Sequence, residues 1–183
     1  MNQQTSSQTV GPYFSIGMTY STLNQMARDG VVGERIYLRG RVFDGDGASV
    51  NDAVVEIWQA DANGIYAHAQ DARHGDADAA FFGYGRAATD DDGYYSFKTI
   101  KPGAVGEMAP HLNVRVFMRG LLLHTVTRFY FADEDNSADE IFNSIPADRR
   151  HTITMQRDDS EGTPIYRLDI HMQGERETVF FEL

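Results

Sequence analysis

The chain has 183 residues, with 16 basic against 27 acidic side chains (a formal net charge of −11), 42% hydrophobic residues and no cysteine. That length suits one domain burying roughly 70% of the surface its unfolded chain exposes, and the lack of thiolate excludes disulfides, thiolate-bound zinc, iron–sulfur clusters and a cysteine nucleophile. The acidity argues against nucleic acid or an anionic membrane as a partner; without a membrane-length apolar run or a basic-then-hydrophobic start, a cytoplasmic location is expected.

Residues 1–33 lack a sustained period, and Gly11-Pro12-Tyr13-Phe14 reads as an extended arm that packs on something else, such as a partner chain. Thr22 to Arg28 has a helical composition. Residues 34–183 form the domain proper, and period two dominates there. Arg35 to Phe43 alternates, Asp44-Gly45-Asp46-Gly47 supplies a turn, and Ala53 to Trp58 forms the next strand. Asp61 to Arg86 is the longest insertion and reads as a functional loop. Asp90-Asp91-Asp92-Gly93 repeats the turn chemistry ahead of a strand over Tyr94 to Ile100, which Lys101-Pro102-Gly103 ends. Strands follow over Leu112 to Met118, Leu122 to Phe131, His151 to Gln156, Ile165 to His171 and Thr178 to Phe181. One further short helix is expected over Ser137 to Ser144. The sum is an all-β sandwich of about eight short, mostly antiparallel strands with little helix.

Chemistry-bearing motifs are sparse. The six histidines form no His-x-His or His-x-x-x-His pair. His68 and His74 lie among aspartates in the long loop and read as solvated surface. No serine elbow occurs, Gly83-Tyr84-Gly85 lacks a third glycine, and Asp90 to Gly93 is explained by a turn without calcium. Strand parity gives one constellation: from Pro110 to Gly120, the residues His111, Asn113, Arg115, Phe117 and Arg119 share a face, opposite Leu112, Val114, Val116 and Met118. The second set is core. The first suits either solvated arginines lying over Phe117 or an anion or partner protein against it, and pattern alone leaves both open. Only Lys98 and Lys101 are lysines among the basic residues, a bias that suits planar carboxylate recognition as well as codon usage.

In order, Ser7-Gln8-Thr9-Val10-Gly11-Pro12-Tyr13, Gly40 to Gly47, Glu56-Ile57-Trp58-Gln59-Ala60-Asp61-Ala62-Asn63-Gly64-Ile65-Tyr66, Gly83-Tyr84-Gly85-Arg86, Thr99-Ile100-Lys101-Pro102-Gly103, Ala109-Pro110-His111 and Gln173 to Phe181 resemble the intradiol ring-cleaving dioxygenases over nearly the whole chain. Within that family they are most similar to the α chains of heteromeric enzymes that cleave protocatechuate on the β-ketoadipate route of aromatic catabolism. The resemblance implies a ferric centre made by two tyrosines and two histidines. Tyr66 matches the first tyrosine and His111 the first histidine, while Val105 and Asn113 stand at the other two positions. Valine cannot ligate, so the resemblance implies that this chain holds no metal and that Fe(III) is bound by a β subunit of the same fold. It further implies that Thr9, Gly11 and Pro12 of the arm line the partner's substrate pocket. Arg119 would hold the substrate carboxylate, with Arg128 a second candidate better suited to an interface ion pair. The competing readings are a self-sufficient intradiol dioxygenase with unusual ligands and a catalytically silent β-sandwich binding module.

Overall fold

The computed structural model describes residues 14–19 and 23–182. Among them are nine strands: β1 (Arg35–Phe43), β2 (Val54–Trp58), β3 (Tyr84–Ala88), β4 (Tyr94–Ile100), β5 (His111–Phe117), β6 (Thr125–Phe131), β7 (Thr154–Asp158), β8 (Ile165–Arg167) and β9 (Ile170–His171). Two short helices, α1 (Phe14–Met18) and α2 (Glu140–Ser144), are the α-helical elements of this part, and no helix there is long and apolar enough to cross a membrane. The fold is all-β, as the alternation implies.

The strands form one hydrogen-bonded path, β3-β2-β5-β6-β7-β8-β1-β4, with β9 also on β1. Pairing is antiparallel except where β6 meets β7 and where β1 meets β8 and β9. The path curls so that its two halves share one core. Ile36, Leu38 and Val42 of β1, Tyr95 and Phe97 of β4 and Tyr166 of β8 belong to the same buried cluster as Val55, Ile57, Leu112, Val114, Val116 and Phe129. Strict alternation makes this possible, since β1 buries every second residue.

The turns use the expected chemistry. Asp44 accepts the N–H groups of Asp46 and Ala48 on Oδ1, and Asp90 does the same for Asp92 and Tyr94. Gly47 and Gly93 take the positive φ that each loop needs.

Several expectations need correcting. Residues 23–28 are not helical: Asn24 O accepts the Lys98 N–H, while Met26 and Ala27 donate to Lys98 O, so this stretch covers the free edge of β4. Met26, Ala27 and Val31 join the main core, so the later part of the expected arm lies on this chain's own sheet. Thr178 to Phe181 is not a strand, but it lies along β6 through Thr127 Oγ1 donating to Val179 O and Phe181 N to Val126 O. The expected strand over Ile165 to His171 divides into β8 and β9. The sequence reading also missed β3, whose glycines resemble a loop. A Cβ at Gly85 would meet Met26 Sδ and the Phe97 ring, so that glycine marks close packing inside a strand.

Leu38 is fully buried between the layers, whereas Val32 is exposed. Leu38→Ala is expected to lower the unfolding free energy by about 2–5 kcal/mol, with Val32→Ala nearly neutral, as measured by urea denaturation.

Candidate functional site

The outward face of the β3-β2-β5-β6 half carries the polar residues. β5 lies between β2 and β6, and register sets Asn113 opposite both Trp58 and Arg128, with His111 opposite Tyr130. Parity therefore does what the sequence suggested for His111, Asn113, Arg115 and Phe117. Arg119 is different. The strand ends at Phe117, and a turn with Leu121 N donating to Met118 O and Gly120 at φ +88° carries Arg119 away from the strand face. Six residues of strand, about 20 Å, separate His111 from Phe117. The Arg119 side chain is 72% exposed and its Nε donates to Asp52.

Tyr66 reaches the other end of β5 through a tightly built loop. Asp61 Oδ1 accepts the N–H groups of Asn63 and Ile65, and its Oδ2 accepts that of Asp78. Gly64 sits at φ +72° against the Ala104 carbonyl, where a Cβ would collide, and Gly103 N donates to Asp61 O. This contact sets the Tyr66 loop beside the 103–105 segment, so Tyr66 and Val105 line one cavity of about 430 Å³ with Trp58 and His68. Asp71 Oδ2 accepts the Tyr66 N–H, and Trp58 stacks on the Tyr66 ring with centroids 6.0 Å apart. The Arg73 side chain, helped by the N–H groups of Arg73 and Tyr66, holds the Asp71 carboxyl at about 2. His68 and His74 are exposed, as expected.

Three of the four positions matched to ligands touch one another, and Val105 faces the same cavity as Tyr66. Tyr66 Oη is 3.4 Å from His111 Nε2, and Asn113 Nδ2 donates to Tyr66 Oη at 3.0 Å and to Trp58 O at 3.3 Å. Arg128 Nε donates to Asn113 Oδ1 at 3.1 Å. His111 Nδ1 lies 2.8 Å from Ala109 O, which fixes its proton there and leaves Nε2 as the acceptor for the Tyr66 hydroxyl. Behind them Asp139, only 1% exposed, caps α2 by accepting from Ile141 and Phe142. It also accepts from Ala109 N and Tyr130 Oη. Sequence reasoning did not single out Asp139; an aspartate directly ahead of a short helix is the only signal it leaves.

A groove of about 400 Å³ adjoins this cluster, lined by Glu56, Trp58, Tyr84, Asn113, Arg115 and Val126. Within it Glu56 Oε1 accepts from Tyr84 Oη at 2.7 Å and from Arg86 Nε at 2.8 Å. Burial, reinforced by Glu56, pushes the Tyr84 phenol up to about 12.

This arrangement does not fit Fe(III). Burial raises the Tyr66 phenol above its usual value, against a smaller pull from Asn113. Asn113 and Val105 offer no anionic or imidazole donor, and a guanidinium stands beside the cluster. Thr9, Gly11 and Pro12 lie outside the described residues.

Burial lowers the His111 pKa, so the unfolded chain takes up that proton more readily than the folded one. Stability from this group is complete above about pH 6.5 and falls as pH drops from there through the lowered folded value. His111 imidazole resonances are expected to report the neutral Nδ1–H tautomer well above pH 6.5, with a protonation midpoint below that of a free imidazole. His111→Gln should flatten the acid side of a stability–pH profile. Asn113→Leu, which strands Arg128 Nε, is expected to cost about 1–3 kcal/mol in urea melts.

The family model described as dioxygenase matches residues 9–174. The protocatechuate 3,4-dioxygenase alpha chain of Burkholderia cepacia is 42% identical, with 99% of this chain and 98% of that one covered. The alpha chain of Pseudomonas putida is 41% identical, covering 98% and 96%. The beta chain of the Burkholderia cepacia enzyme is 36% identical over 72% of this chain and 60% of its own length. Among solved structures, the intradiol ring-cleavage dioxygenase from Tetranychus urticae superposes with a TM-score of 0.67 at 18% identity, covering 97% of this chain and all of the other, which speaks for the shared fold. Sequence and fold together make this chain a member of the intradiol dioxygenase family, of the alpha-chain type.

Proposed function

We propose that this chain is the iron-free α subunit of a cytoplasmic protocatechuate 3,4-dioxygenase, paired with a β subunit that holds Fe(III). The assembled enzyme breaks the bond between the two hydroxylated carbons of protocatechuate and adds one atom of O2 to each, turning both into carboxyl groups and yielding 3-carboxy-cis,cis-muconate. One observation carries the reading. The four positions where the family resemblance puts metal ligands are gathered in space, yet two of them hold valine and asparagine, and the cluster is closed by its own hydrogen bonds. Full-length similarity to alpha chains and partial similarity to a beta chain support the pairing.

In this reading the chain supplies walls and charge to a site on its partner. Thr9, Gly11 and Pro12 line the partner's pocket. Arg119 orients the substrate carboxylate: its exposed guanidinium lies outside this chain's own core, in a turn, with the partly buried Asp52 as an exchangeable counter-ion. Positioning and exclusion of water are then its contributions to the rate, and the redox chemistry belongs to the β-bound iron. Arg128 lies within this chain's own cluster, which makes the interface ion pair a poor description of it.

Co-expression with a β chain carrying all four ligands is expected to give an iron-containing, coloured complex that consumes O2 with protocatechuate. The chain alone is expected to be colourless and inactive; stoichiometric iron on it alone would defeat the reading. Arg119→Ala in the complex is expected to raise KM for protocatechuate roughly ten- to a hundredfold, as loss of a charge-assisted contact does, and to leave KM for catechol nearly unchanged. Equal effects on both substrates would remove Arg119 from the role.

A further inference from the structure

The backbone brings the positions matched to ligands together around Tyr66. The Gly64 contact with Ala104 keeps Tyr66 beside position 105, and the β5 register keeps position 113 beside Tyr66. What positions 105 and 113 lack is thus a ligating side chain, since the backbone sets both beside Tyr66. What stands in the gap is Arg128, delivered by β6 directly opposite Asn113. Its Nε holds Asn113 Oδ1 at 3.1 Å and its Nη1 lies 3.5 Å from Met108 Sδ. The nearby buried carboxylate, Asp139, is engaged by Tyr130, Ala109 and the first turn of α2 instead, and Arg128 forms no ion pair among the described residues.

Arginine cannot shed its proton in a protein. A half-buried guanidinium next to the cluster is a fixed positive charge, and its repulsion of a trivalent ion grows with the product of the charges in a medium that screens poorly. Asn113 is matched to it. Its carbonyl oxygen takes the guanidinium, and its two N–H groups serve Trp58 O and Tyr66 Oη. A histidine at position 113 has one N–H at most when neutral, so it could not serve both of those acceptors. The retained Tyr66 and His111 also have defined partners, the first accepting from Asn113 and the second from Tyr66.

We propose that Arg128, seated on Asn113, is the residue that excludes a metal ion from the Tyr66–His111 cluster, so that restoring the two missing ligands alone does not restore a metal site. This inference rests on the reading that the unmodified chain binds no iron.

The test uses the full-length chain, alone and co-purified with β. Ferric ion is supplied as its nitrilotriacetate complex, and the readouts are metal retained after gel filtration and the visible tyrosinate-to-iron charge-transfer band. The variants are Val105→Tyr/Asn113→His, and that pair combined with Arg128→Gln, Arg128→Met or Arg128→Lys, each checked for folding by circular dichroism. The double variant and the combination with Arg128→Lys are expected to stay colourless and retain no metal. The combinations with Arg128→Gln and Arg128→Met are expected to gain the band, and a second iron per αβ pair in the complex. Either neutral substitution suffices for the comparison if the other misfolds. Equal retention by the double variant and its neutral combinations would overturn the proposal. So would retention by the Arg128→Lys combination, or none by a folded neutral one. Iron on the unmodified chain would instead overturn the functional reading beneath it.

Discussion

β5 has to meet two environments at once, and the rest of the molecule is arranged around how it does so. Held on one side by β2 and on the other by β6, it cannot rotate or slip without exchanging its faces. Leu112, Val114 and Val116 close the gap between the layers, while His111, Asn113 and Arg115 emerge where Trp58, Tyr84, Arg86 and Arg128 also emerge. The hydrophobic requirement of the core thus sets the position of the polar cluster, and any shift that relieved one would ruin the other.

The polar cluster is unusual in how completely its groups are matched. Asn113 uses its carbonyl oxygen and both amide hydrogens, His111 uses both ring nitrogens, and Asp139 accepts four hydrogen bonds from a buried position. Such a network is worth most when every member is satisfied and is costly when one is removed. Asn113, His111 and Asp139 thereby spend their hydrogen bonds on neighbouring side chains and backbone. The Asp139 carboxylate and Arg128 guanidinium also flank Tyr130, whose phenol burial pushes up to about 12, so this wall keeps its hydrogens across the physiological range.

Much of the architecture could be read from residue order. Alternation located β1 and β4 with their ends, because one face of each is core and nothing else competes for the pattern. The aspartate–glycine turns were legible for a similar reason: short side chains acting on neighbouring N–H groups need no tertiary partner. Failures came where a tertiary contact set the local structure. Gly85 is small because Met26 and Phe97 need the space, and residues 24–27 are extended because β4 has an edge to fill. Arg119 looked like a member of the β5 face because parity carries no information about where a strand stops. Asn113 was legible as an absence of histidine; its partnership with Arg128 was not, since the two are fifteen residues apart and meet only through the register.

The edge cover on β4 also fixes a leash. Chain N-terminal to Asn24 is tethered at Lys98, and covalent geometry limits how far it extends: with Phe14–Met18 helical, Pro12 can stand no more than roughly 35 Å from that tether. On the proposed function, a partner pocket served by Pro12 opens within that radius of the β4 edge, and one that Thr9 also reaches opens within roughly 45 Å of it. The anchor point thereby restricts which relative orientations of two such subunits allow the arm of one to serve the other.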